Sequence, residues 1–262
     1  MATSAEIEAF QLRGLFLRKN FLPAEKVARA RQSAFDYFEK EGLWRDGDWR
    51  LDELSPLERG AATPRLVRGL NSRKEIVELI GEEVRGGVAE LLDNGATFTF
   101  SDKVQVLLTL PNAENWTVPH RNWHVDLPRC AGGGTPGVQI FTFLDVVEPS
   151  GGGTLVVAGS HRLANENGRI SSAQVKKILK RETYFRELTS EEGAARRRFL
   201  QEPATIGDVE VQVLELHGEP GNVYFADPRL LHTVAPNARD KPRLMITQRF
   251  LLESIREESA TE

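Results

Sequence analysis

The chain has 262 residues, 40% hydrophobic and 27% charged, a balance that supports one continuous core and excludes a fibrous, repetitive or wholly disordered protein. Its 34 Lys and Arg against 38 Asp and Glu give a formal net charge of −4, which excludes the large basic field that non-specific nucleic-acid binding requires. Cys130 is the only cysteine, so there is no internal disulfide framework; with no apolar leader in Met1 to Phe10 and no run of membrane-spanning length, the expectation is a cytoplasmic protein without a membrane partner.

In chain order, Gly14 to Leu17 is a brief apolar run. Leu22-Pro23-Ala24 then opens a helix lasting to about Gly42, with Pro23 suited to the first turn. Val27, Ala30, Ala34, Tyr37 and Phe38 recur at helical spacing, which predicts a helix lying against a sheet. After a polar, Arg-rich connection from Trp44 to Arg68, a second helix from about Arg73 to Asp93 gathers Ile76, Leu79, Ile80, Val84, Val88 and Leu91 on one side.

From Thr97 the apolar period changes to two. The runs are Phe98 to Leu110, Trp123 to Leu127, Val138 to Val147, Thr154 to Ala158, Val209 to Leu216, Asn222 to Ala226, Leu230 to Val234 and Leu244 to Leu252. Such a series suits a mainly β protein with flanking helices, built on a jelly roll of two facing sheets. The predicted organisation is a single domain over 1–262: a mainly helical part over 1–96 packing on the sheet, a jelly-roll core over 97–252, and an acidic tail over 253–262. A helical, lid-like insertion at about 165–205, centred on Ser171 to Leu200, interrupts the core.

The histidines are His120, His124, His161, His217 and His232. His124-Val125-Asp126 puts an imidazole and a carboxylate on one face of a strand, because side chains alternate with period two. Iron(II) accepts two imidazoles and one carboxylate on one octahedral face and keeps the other positions open. By itself the pair is weak evidence, and an ordinary His and Asp hydrogen-bonded at a strand end is the simpler reading. His217-Gly218-Glu219 has the same spacing but lies against Pro220-Gly221 and reads as a turn. Gly132-Gly133-Gly134-Thr135-Pro136-Gly137 has the glycine spacing of a dinucleotide fingerprint, yet a strand follows it where a helix is required, so nicotinamide binding is not expected.

The downstream block is more specific. Glu219-Pro220-Gly221-Asn222-Val223-Tyr224-Phe225-Ala226-Asp227 leads through Pro228-Arg229-Leu230-Leu231 to His232, then to Pro236-Asn237 and Arg243. With His124-Val125-Asp126, and with Gly151-Gly152-Gly153-Thr154-Leu155 running into Gly159-Ser160-His161-Arg162, this resembles the phytanoyl-CoA dioxygenase-like family of iron(II)/2-oxoglutarate oxygenases. The resemblance covers roughly Phe98 to Phe250, with a fainter match at Gly14 to Leu22. It implies a cupin-like, double-stranded β-helix core.

The resemblance assigns His124, Asp126 and His232 to the iron, and Arg243 to the distal carboxylate of 2-oxoglutarate, with Arg249, on the same strand face, as the fallback. A planar guanidinium suits that role because it offers a carboxylate two parallel hydrogen bonds. It suggests a co-substrate contact for Gln105. Where relatives often place a serine, two residues after His232, this chain has Val234, and Thr233 or Thr247 is expected to substitute. His161 falls where the family ends a strand and reads as structural. Leu107, Thr109, Gln139, Phe141 and Phe143 point inward with Gln105; Thr109, Phe141, Phe143 and His120 are the candidate substrate contacts.

The implied reaction consumes dioxygen and 2-oxoglutarate, releases succinate and carbon dioxide, and hydroxylates an unactivated C–H bond of a small metabolite, whether a natural-product intermediate, an amino acid or an acyl compound. Desaturation, ring closure and epoxidation are the alternatives. Halogenating relatives lack the carboxylate present here as Asp126, which disfavours halogenation. Two readings of other classes are a structural zinc site, which would want a fourth ligand, and a catalytically silent metal- and 2-oxoglutarate-binding module. In the insertion, Lys176, Lys177, Lys180, Arg181, Arg196, Arg197 and Arg198 stand among Glu182, Glu187, Glu191 and Glu192. A solvated helical face is the simpler reading, and attraction of an anionic substrate the alternative.

Overall fold

The computed structural model describes residues 1–51, 63–92, 97–101, 103–127, 134–163, 171–191 and 196–253. Cys130, Gly132, Gly133, Glu192, the beginning of the 165–205 insertion and the tail beyond Glu253 lie outside the described residues.

Helix α1 (Ser4–Arg13) carries a capping box on Thr3 and Glu6 and ends at Gly14, whose φ of 79° is the left-handed cap that glycine adopts without strain. The apolar run after it is a strand, β1 (Leu15–Arg18), and α2 (Ala24–Lys40) follows. Trp44–Arg45 and Asp48–Trp49 form a small hairpin, β2 and β3. The second expected helix is two, Lys74–Leu79 and Glu82–Ala89, because the chain leaves helical geometry at Ile80, with ψ of 52°.

The expected strand Phe98 to Leu110 is divided into β4 (Phe98–Phe100) and β5 (Gln105–Thr109). Next come β6 (Gly137–Phe143), β7 (Thr154–Ala158), β8 (Ala204–Ile206), β9 (Val209–Leu216), β10 (Val223–Ala226), β11 (His232–Val234) and β12 (Arg243–Leu252). In the larger antiparallel sheet β1, β10, β6 and β12 lie side by side, and the far edge of β12 is shared by β4 and β5. The smaller sheet has the order β11-β7-β9-β8.

Three apolar clusters show how the layers stack. Ile140, Phe225, Leu244, Ile246 and Phe250 from one face of the larger sheet pack with Ala30, Ala34 and Phe38 of α2 and with Ile76, Val84 and Val88. Phe141, Phe143 and Met245 from its other face meet Val156, Ala158 and Leu216 of the smaller sheet. The outer face of the smaller sheet, with Leu155, Val157, Val211 and Val213, is covered by Val175, Leu179, Phe185, Leu188 and Phe199 from the insertion. The two inner faces therefore enclose the middle of a double-stranded β-helix, with helices outside both sheets. The described part of the insertion packs on the outer face of the smaller sheet and against Trp116, Val118, Trp123 and Val125.

Candidate metal centre

The site begins where two distant stretches of backbone meet. His124 N–H donates to the His232 carbonyl at 2.9 Å, and His232 N–H donates back to the His124 carbonyl at 2.9 Å. This single reciprocal bridge is all the strand pairing that 123–127 makes; the expected strand Trp123 to Leu127 is not formed. Alternation still holds locally. Trp123 and Val125 are buried against the insertion, with Trp123 Nε1–H donating to the Pro119 carbonyl at 2.9 Å and Val125 N–H to Ser172 Oγ at 3.2 Å. His124 and Asp126 are thereby turned the other way.

His124, Asp126 and His232 each offer a ligand atom, and these atoms lie within 4.8 Å of one another. Among the described residues no other trio of His, Cys, Asp and Glu does so, and His217 with Glu219 is not part of such a group. The two imidazole Nε2 atoms are 3.7 and 3.6 Å from the two Asp126 oxygens. His124 Nδ1 faces the Asn122 carbonyl at 2.8 Å and His232 Nδ1 the Leu230 carbonyl at 2.9 Å. A carbonyl only accepts, so each Nδ1 carries a proton and each Nε2 is the ring atom turned towards Asp126. Burial pushes the His232 pKa below its ordinary value and keeps this imidazole neutral, as a metal ligand must be. This donor set fits a divalent metal held on one face.

Gln139, on β6, donates to Asp126 Oδ2 at 2.8 Å and to Thr247 Oγ1 at 3.1 Å, and Thr247 in turn donates to the Ile140 carbonyl at 2.8 Å. Arg249 Nη1 stands 3.8 Å from Asp126 Oδ1. The register explains this grouping, since Arg249 lies opposite Gln139 and Thr247 opposite Phe141. The sequence reading had no role for Gln139 beyond pocket lining. Register between strands more than a hundred residues apart leaves no local signal that would reveal it.

Arg243 lies on the same face of β12, four residues before Thr247, a separation of about 13 Å along extended chain. It is only 2% exposed, and burial pushes its pKa down to about 9. Its Nε and Nη2 donate to Thr109 Oγ1, the former at 3.0 Å, and Nη1 faces Met245 Sδ at 3.4 Å. No carboxylate among the described residues pairs with it. An uncompensated buried guanidinium is costly, so this one fits an anion arriving from outside the chain. Asn237, fully buried, fixes Thr109 by donating to its carbonyl at 3.1 Å and to the Lys241 carbonyl at 2.9 Å. Pro236-Asn237 carried the family resemblance, yet the cross-strand role of Asn237 is visible only in three dimensions.

The remaining candidates separate clearly. Gln105 is exposed and lies opposite Thr247 on the site's face of the sheet. Thr233 is opposite Leu155, on the face turned towards the insertion, and its hydroxyl donates to the Arg121 carbonyl at 3.4 Å. It therefore points away from His232, and of the two threonines considered in place of the absent serine only Thr247 faces the site. Thr109 supports Arg243. Phe141 and Phe143 are buried between the sheets. His120 lines a cleft beside Asn122. His161 Nε2 donates to the Gln11 carbonyl at 3.0 Å, the structural use expected of it. The glycines of the Gly151 to Gly153 run allow close approach: a Cβ at Gly153 would stand 2.3 Å from the Leu216 carbonyl oxygen.

No protein-family model matches the chain, and no curated protein matches it in sequence. In three dimensions it is similar to the non-heme alpha ketoglutarate dependent carbocyclase SnoK from nogalamycin biosynthesis, with a TM-score of 0.60, 15% identity, and 95% of this chain and 84% of that one covered. It is similar also to AviO1 from Streptomyces viridochromogenes Tue57, with a TM-score of 0.50, 22% identity and 96% of each chain covered. EvdO2 from Micromonospora carbonacea var. aurantiaca, complexed with 2-oxoglutarate, gives a TM-score of 0.50 at 17% identity, covering 96% of this chain and 91% of that one. At these identities the likeness establishes the fold, a double-stranded β-helix. Among the described residues, no helix is long and apolar enough to cross a membrane.

Proposed function

We propose that the chain is an iron(II)/2-oxoglutarate-dependent oxygenase of the phytanoyl-CoA dioxygenase-like kind, acting on a small metabolite. The observation that carries this reading is a pair of features between the two sheets: a His-Asp-His donor set whose two Nε2 atoms turn towards Asp126, and, on the inner face of the larger sheet, a buried guanidinium that no carboxylate among the described residues pairs with. SnoK and the EvdO2 complex, with the same fold, carry this cofactor chemistry in their own descriptions.

His124, Asp126 and His232 would hold the iron, and Arg243 the far carboxylate of 2-oxoglutarate, with Thr109 fixing the guanidinium and Thr247 and Gln105 on the same face. When bound, iron and 2-oxoglutarate supply the oxidising power for attack on an unactivated C–H bond. The chain's own part is geometric. The two backbone carbonyls hold the imidazole tautomers, Gln139 holds the Asp126 carboxylate, and Phe141, Phe143 and Met245 keep the space behind the site dry. His124, with a side chain 46% exposed, marks the side from which substrate approaches.

Hydroxylation is the proposed outcome. The same residues are compatible with ring closure, the activity of the carbocyclase with this fold, and Asp126 as a ligand disfavours halogenation. In the test, iron(II) and 2-oxoglutarate added without oxygen should give the weak visible absorption of the chelate, and His232→Ala should abolish it. Absence of the band from the intact protein would overturn the reading.

A further inference from the structure

The insertion's lysines do not all face open solvent. Lys176, Lys177 and Lys180, on and just after the helix Ser172–Leu179, line a cleft of about 600 Å³ whose opposite wall is His120, Arg121, Asn122 and Trp123. Val175 and Leu179 of the same helix are buried on its other side, which fixes the orientation of the lysines. Four cations thus line one cleft in a chain whose net charge is negative. Among the described residues no carboxylate lines it, none of the three lysines has an ion-pair partner, and only Arg121 has one, with Glu191 at 3.3 Å between two exposed side chains.

The cleft adjoins the metal centre through the chain itself. Asn122, in its wall, has φ of 64°, a left-handed conformation that asparagine tolerates better than most non-glycine residues. Its carbonyl is the one that fixes the His124 tautomer. From Asn122 to His124 is about 7 Å of extended chain, and both residues are exposed, so a small molecule reaching from the cleft to His124 would pass over Asn122 to the side away from Trp123. His120 Nε2 is buried and has no hydrogen-bond partner.

We propose that this cleft binds a multiply charged oxyanion, a phosphate ester in biological form, and that the anion is the recognition handle of the substrate whose remaining part extends to His124. Lysine ammonium groups suit such a group as point charges, and a recess lined by one sign of charge concentrates the opposite one. That the ligand is the substrate rests on the oxygenase reading; that the cleft takes an oxyanion does not.

The test uses the full-length, metal-free protein and inorganic pyrophosphate, followed by calorimetry at low and physiological salt. Binding is expected, and the double variant Lys177→Glu/Lys180→Glu should weaken it by about tenfold or more through like-charge repulsion. Lys40→Glu, half that charge change on exposed α2, should leave it within about twofold. No binding by the native protein at millimolar pyrophosphate, or equal weakening by Lys40→Glu, would overturn the proposal. Because metal is left out, failure here is distinct from failure of the iron chelate test.

Discussion

Arg18 and Arg243 belong to the same large sheet and are treated in opposite ways. Arg18, on β1, is 13% exposed and lies over the Phe16, Phe21 and Phe225 rings; it donates to Glu6 at 2.9 and 3.1 Å and to Glu90 at 3.0 Å. Its pKa is raised, chiefly by the hydrogen bonds to Glu6. Arg243 is more deeply buried, has only a hydroxyl and a thioether as partners among the described residues, and has its pKa pushed down to about 9. A guanidinium supplied with carboxylates ties elements of the fold together, whereas one buried without them is the group that the proposed function assigns to an anion from outside the chain.

The comparison predicts different failures. Arg243→Met should have the largest effect, lowering 2-oxoglutarate affinity of the iron-loaded protein by about a hundredfold or more while the thermal midpoint holds or rises, since a lone buried charge is replaced by an apolar chain. A lowered midpoint with unchanged affinity would make Arg243 structural. Arg18→Met should show the reverse, costing about 1–3 kcal/mol in urea unfolding because Glu6 and Glu90 lose the guanidinium that joins them, and leaving co-substrate affinity unchanged.

The smallest effect is on acid stability. Hydrogen bonding to Arg18 lowers the Glu6 pKa from 4.5 to about 2. A folded-state pKa below the unfolded one contributes stability above about pH 4.5 and loses it as pH falls towards 2. Across that window the midpoint of the native chain should fall slightly more steeply than that of Glu6→Gln, and parallel curves would show the pair to be energetically idle.

Much of this arrangement was legible in one dimension. The runs Thr154 to Ala158 and Val209 to Leu216 coincide with β7 and β9, because β7, buried on both faces, reads as an apolar run between turn residues and β9, buried mainly on one, alternates apolar with polar. β1 was harder: Leu15–Arg18 is a strand only because it pairs with Val223–Ala226, two hundred residues away. The stretch around His124 misled in the opposite direction. Its apolar residues alternate as a strand's do, but they answer to Trp116, Val118 and the insertion helices, and only one bridge joins it to β11.

The sequence by itself determined which side chains offer metal-ligating atoms and the alternation that turns His124 with Asp126, and Arg243 with Thr247, to one side, since both follow from residue type and from the geometry of extended backbone. Tertiary structure alone decided that His232 returns to His124, that Gln139 and Thr109 brace a carboxylate and a guanidinium, and that the insertion supports the smaller sheet from behind while turning lysines into a cleft. These depend on strand register and on layer packing, which arise from contacts between segments far apart in the chain and leave no trace in any short window of it.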